Sequence, residues 1–119
     1  MSTLFVIGQV VLGGYFAIAG IKHFTGAKGM TGYAAMKGLP APSASVMLSG
    51  LILLLGGLGI MFQMYTTVAY TLLILFLVVA AFTIHDFWKA KDAQAKMADS
   101  IQFQKNLALA AALLMLMAA

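Results

Sequence analysis

Four long apolar runs, Leu4–Phe24, Val46–Phe62, Thr66–Phe87 and Ile101–Met117, leave this chain few ways to fold. A bilayer hydrocarbon core about 30 Å thick takes roughly 20 helical residues, with about 17 as the lower limit. The first and third runs meet that length comfortably, and the second and fourth meet it narrowly. A soluble domain of 119 residues could not cover its exterior from this composition, which is 63% hydrophobic and 8% charged. Period-two alternation is absent, which argues against a transmembrane barrel. The expected fold is therefore all-α: an integral membrane four-helix bundle, a single transmembrane domain over residues 1–119 with spans at about 4–24, 46–62, 66–87 and 101–117. The opening segment "MSTLFVIGQVVLGG" has no Lys or Arg ahead of its apolar stretch, unlike a secretory leader, and Ala17–Ala19 matches a cleavage motif only weakly. It is expected to stay in place as the first helix.

The charges are arranged as topology signals. Seven lysines and no arginine face three aspartates, giving a net charge of +4. In a soluble chain such an excess would suggest nucleic acid. Here every lysine falls in or beside the loops 25–45 and 88–100, whereas the connection around Gln63–Tyr65 carries none. No nucleic-acid partner is expected, and the lysines read as contacts to anionic membrane lipids. The positive-inside rule places both long loops in the cytoplasm and the N- and C-termini outside. Within the first loop, Gly26, Gly29 and Gly32 favour turns, "GYAAMK" suits a short interfacial helix, and Gly38 is suited to end it. Pro40 and Pro42 prevent continuation, and Ser43 or Ser45 is placed to cap the second span. Gly13, Ala17, Ser45, Ser49, Gly56 and Gly57 offer close helix approach.

The order of these features resembles a known family. "GYAAMKGLPAPSASVMLSGLILLLGGLGIMF" (Gly32 to Phe62), with its glycine-proline entry and double glycine, is similar to the signature region of DoxX proteins. "GYFAIAGIKHF" resembles the first span of that family and "AAFTIHDFW" the end of its third, and the likeness runs over nearly the whole chain. Two features depart from the family pattern: Leu53 stands where relatives often carry an acid, and the first span lacks an early arginine. The resemblance implies a small membrane protein of a prokaryotic cytoplasmic (inner) membrane, linked to redox processes. The implied role is a subunit of a quinone-associated complex, not catalytic alone and at most the membrane part of a quinone-linked oxidoreductase. The alternative is a structural or assembly factor that anchors partner proteins or lipids without a redox role; homo-oligomerisation is compatible with either.

The residues that could carry chemistry lie at two span ends. Lys22 and His23 close the first, and "FTIHDFWKAKD" places His85, Asp86 and Trp88 at the end of the third. In a four-span topology these ends lie at one membrane face, with Tyr33 also available there. His85, Asp86, His23, Lys22, Tyr33 and Trp88 are thus the candidate residues for a quinone or lipid headgroup. In that reading a histidine hydrogen-bonds a headgroup oxygen and Asp86 fixes its tautomer. Trp88, Lys89 and Lys91 are equally what a membrane boundary presents. Asp86 is harder to explain, because a carboxylate at a helix C-terminus is disfavoured by the dipole unless Lys22, Lys89 or His23 pairs with it. Haem held by the two histidines is disfavoured, since axial ligands must face each other across a bundle. A transport path lacks ionisable groups at mid-depth. With no cysteine there is no thiolate site or disulfide, and the methionine pairs lack an accompanying histidine, so no metal is expected.

Overall fold

The computed structural model describes residues 2–119. It contains α1 (Thr3–Thr25), α2 (Ala27–Met36), α3 (Pro42–Phe62), α4 (Thr66–Thr83), a 3-10 turn (Phe87–Lys89) and α5 (Ala93–Ala118). No strand occurs among the described residues. Four segments are long and apolar enough to cross a membrane: α1, α3, the stretch from α4 through the 3-10 turn, and α5. The all-α, four-helix membrane architecture expected from hydropathy is the one found. The chain packs as two compact units, residues 1–73 and 74–119.

In the first unit, α1 and α3 run antiparallel at near backbone contact. A Cβ on Gly20 would lie 2.6 Å from the Gly50 carbonyl oxygen, one on Gly57 2.5 Å from that of Gly13, and one on Gly13 2.6 Å from that of Gly57. Lipid tails are as apolar as leucine, so helices associate in a bilayer through such close packing rather than through burial from water. Ala17 and Phe16 of α1 and Leu53 and Ile60 of α3 are buried beside these glycines. Gly56 takes a different neighbour, with Leu73 of α4 filling the space its missing Cβ leaves.

The connections follow local chemistry. Ser2 caps α1 by accepting the Phe5 N–H. Helix α2, the short helix expected in the first loop, ends in a Schellman motif. The Gly38 N–H reaches the Ala35 carbonyl and the Leu39 N–H reaches that of Ala34, with Gly38 at φ 79°. Neither Ser43 nor Ser45 caps α3. Ala41 occupies the N-cap position with φ 42°, Pro42 opens the helix, and the Ser45 hydroxyl turns back to the Pro40 carbonyl at 2.8 Å. Proline at the first helical position loses no hydrogen bond, so no side-chain cap is needed to satisfy that amide. The α3–α4 turn is tight, with Gln63 at φ 53° and Tyr65 at φ 49°, both in the left-handed region without glycine's freedom.

In the second unit, α4 stops at Thr83, short of the expected Phe87, and α5 begins at Ala93, well before the expected Ile101. The Ala80 carbonyl accepts the N–H groups of both Ile84 and His85, which widens the last turn. The chain then reverses at Asp86, whose φ of −79° and ψ of 67° form an inverse γ-turn closed by the Phe87 N–H on the His85 carbonyl. Asp92 caps α5, its carboxylate accepting the Ala95 N–H at 2.7 Å. Along α5 the buried positions are Asp99, Asn106, Ala110 and Leu113, one face at helical spacing with Phe103 on the same stripe.

Candidate functional site

The six residues singled out by sequence divide between the two units. Lys22, His23 and Tyr33 belong to the first. His23, in the last turn of α1, is clamped against the start of α3. Its Nδ1 lies 3.1 Å from the Val46 carbonyl oxygen and 3.0 Å from Ser49 Oγ, while Ser49 Oγ donates to the same carbonyl at 3.0 Å. A carbonyl can only accept, so this approach puts the ring proton on Nδ1. Gly50 lets the His23 side chain approach α3, since a Cβ there would sit 2.6 Å from His23 Cβ. His23 therefore works as an inter-helix staple, and Ser49, expected as a small packing residue, is its polar partner. Lys22 is exposed, and its carbonyl receives the Gly26 N–H that ends α1. Tyr33 lies exposed on α2 with Lys37 Nζ 5.6 Å from its ring centre, a cation–π contact one turn apart.

His85, Asp86 and Trp88 belong to the second unit and follow one another through the break after α4. Asp86 is not on a helix end. It sits at the N-terminal side of the 3-10 turn, where its own carbonyl accepts the Lys89 N–H at 3.0 Å, and it is buried. The dipole objection to an acid at that position therefore lapses: the helix has ended before it. His85 Nδ1 lies 3.9 Å from Asp99 Oδ1 on α5, an electrostatic separation longer than a hydrogen bond. Asp99 is itself 7% exposed. Trp88 joins an aromatic cluster centred on Phe103 of α5. Phe82, Phe87 and Trp88 lie edge-on to that ring at centroid distances of 5.2, 5.3 and 5.8 Å. Seven residues beyond Asp99, buried Asn106 reaches the Leu77 carbonyl at 3.4 Å.

This arrangement places an imidazole, the buried Asp86 carboxylate and an indole in one connection, with the buried carboxylate of Asp99 facing the imidazole from α5. It can exchange a hydrogen bond at the imidazole and offer aromatic surface to a flat ring. Asp99 was not picked out by sequence reasoning because the fourth span was expected to start at Ile101, and Phe103 and Asn106, inside that span, were passed over because the candidate residues were sought at the ends of the first and third spans. Their signal is the 99–103–106–110–113 spacing, which extends the buried stripe of α5 two residues ahead of its apolar run. Among the described residues no three His, Cys, Asp or Glu side chains are grouped as metal ligands.

Compared with protein families, residues 4–86 match DoxX. The chain belongs to the DoxX family. The match takes in α1 to α4, the glycine-paired α1–α3 contact and both histidines, and stops at Asp86. It is shorter than the whole-chain likeness expected from the motifs, and α5 with Asp99 lies beyond it. Membership and four apolar helices together make this a multi-pass DoxX membrane protein. No curated protein and no solved structure matches the chain.

Proposed function

We propose that this DoxX protein is the membrane subunit of a redox-linked complex, and that its α4–α5 connection receives the headgroup of a quinone. The observation that carries this reading is His85 facing Asp99 in the same connection as the Phe82, Phe87, Trp88 and Phe103 cluster. A quinone headgroup is a flat ring with oxygens at opposite edges. An imidazole can hydrogen-bond such an oxygen, and aromatic side chains can lie against the ring. Electrons would come from a partner subunit, since the chain has no cysteine to ligate an iron–sulfur cluster. The proposed location is a prokaryotic cytoplasmic membrane with residues 25–45 and 88–100 inside, supported by six of the seven lysines in or next to those segments, Lys105 lying further along α5.

The test is quinone-linked electron transfer in membranes from cells expressing the wild-type chain, His85→Ala or Asp86→Asn, at matched abundance. A quinone site requires turnover to fall by roughly 10-fold or more when the hydrogen-bonding imidazole is removed. Unchanged turnover in both variants sinks the proposal. If deletion of the chain instead lowers the abundance or membrane attachment of co-purifying subunits while turnover per complex is kept, the role is assembly.

A further inference from the structure

We infer that Asp99 sets the proton position on His85 and so makes the site select the reduced headgroup, a hydroquinone, over the oxidised quinone. This rests on the quinone-linked reading of the same connection. The carboxylate of Asp99 faces Nδ1 at 3.9 Å and is buried on the inward stripe of α5. A buried negative charge beside one ring nitrogen favours a proton on that nitrogen over a lone pair. In the neutral ring the proton on Nδ1 leaves Nε2 with the lone pair, and Nε2 is then an acceptor. A hydroquinone offers a phenolic O–H that donates to Nε2. A quinone offers only carbonyl oxygens, which accept, so lone pairs would oppose each other. Asp99 acts here through His85 and is a positioning residue. It lies outside the DoxX-matched segment, 4–86.

The site has a contrasting internal reference. His23 also carries its proton on Nδ1, but a neutral carbonyl and a hydroxyl fix it rather than a carboxylate. Changing Asp99 therefore alters the tautomer of one histidine and leaves the other as it is.

The experiment is anaerobic calorimetric titration of the full-length protein in detergent with decylubiquinol and with decylubiquinone. One well-placed hydrogen bond is worth roughly 3- to 10-fold in affinity. The wild type is expected to bind the quinol tighter by that factor. Asp99→Asn, whose amide can donate to Nδ1 and move the ring proton to Nε2, is expected to bring the ratio to unity or reverse it, and Asp99→Glu to restore it. Equal ratios in the wild type and Asp99→Asn overturn the inference while leaving quinone binding intact. Absence of binding by either form in the wild type overturns the quinone-linked reading itself. Should Asp99→Asn not fold, ¹⁵N spectra of histidine-labelled wild type decide the matter, with His85 assigned by the resonances lost in His85→Asn. A protonated Nδ1 and bare Nε2 on His85 support the inference, and the opposite tautomer contradicts it.

Discussion

Asp99 and His85 gain their meaning from each other, and neither is informative alone. Asp99 reads in sequence as one more polar residue in a solvated stretch, "KMADSIQ". It becomes a buried carboxylate because Asp92 starts α5 early and the α4–α5 connection folds back on it. Asp92 is thus the first residue to test. Its carboxylate satisfies an orphan amide at the start of α5, so Asp92→Ala is expected to cost about 1 kcal/mol of stability. That loss should appear as a lower unfolding midpoint in detergent; an unchanged midpoint would mean that the cap contributes nothing. Gln63 offers the opposite sign. It holds φ 53° with a side chain that disfavours it, so Gln63→Gly should raise stability by about 1 kcal/mol through relief of left-handed strain. The same midpoint measurement checks it, and destabilisation would show that the Gln63 side chain matters more than its backbone.

Among the helices, the glycines separate into those that meet a neighbour and those that do not. Gly13, Gly20 and Gly57 face backbone atoms at 2.5–2.6 Å, whereas Gly8 and Gly14 on the same α1 have nothing within 4 Å. Gly20→Ala and Gly57→Ala are therefore expected to destabilise the first unit by about 1–3 kcal/mol, the usual cost of overpacking. Gly8→Ala and Gly14→Ala should be neutral or slightly favourable, because alanine is the better helix former. Thermal unfolding in detergent of the four variants decides this; a common effect at all four positions would contradict the crossing described. Much of this level was legible in the sequence. Run length gave four apolar helices, Gly38 marked the end of α2, and Gly13, Ala17 and Gly57 were visible as close-approach residues. What was not legible was where α4 ends and α5 begins. Ile84 and Phe87 keep the apolar pattern going past Thr83, so hydropathy cannot register the γ-turn at Asp86. Conversely, the polar first two turns of α5 hide a helix whose burial depends on contacts made far along the chain. The candidate site straddles that gap: His85, Asp86 and Trp88 stood out at the end of the third run, Asp99 was hidden in the polar turns of α5, and Phe103 was one apolar residue among many in the fourth run.

For the protein as a whole, the proposal joins a membrane topology to a headgroup site. The topology is open to a labelling test because the native chain has no cysteine. A membrane-impermeant maleimide added to intact cells is expected to label Met64→Cys but not Lys37→Cys or Lys91→Cys, and to reach the latter two only after permeabilisation. The reverse pattern would invert the orientation and contradict the lysine argument. The headgroup site is open to an optical test, because Trp88 is the only tryptophan in the chain and stands in the aromatic cluster beside it. The decisive measurement is the quenching of Trp88 fluorescence by decylubiquinone in detergent, in the wild type and in His85→Ala. A quinone site predicts saturable quenching in the wild type that decylubiquinol displaces, with the displacing quinol concentration raised roughly 3- to 10-fold in His85→Ala. Quenching that rises linearly with quinone and is identical in both proteins would mean simple partitioning into the micelle, and would contradict a quinone site at the α4–α5 connection.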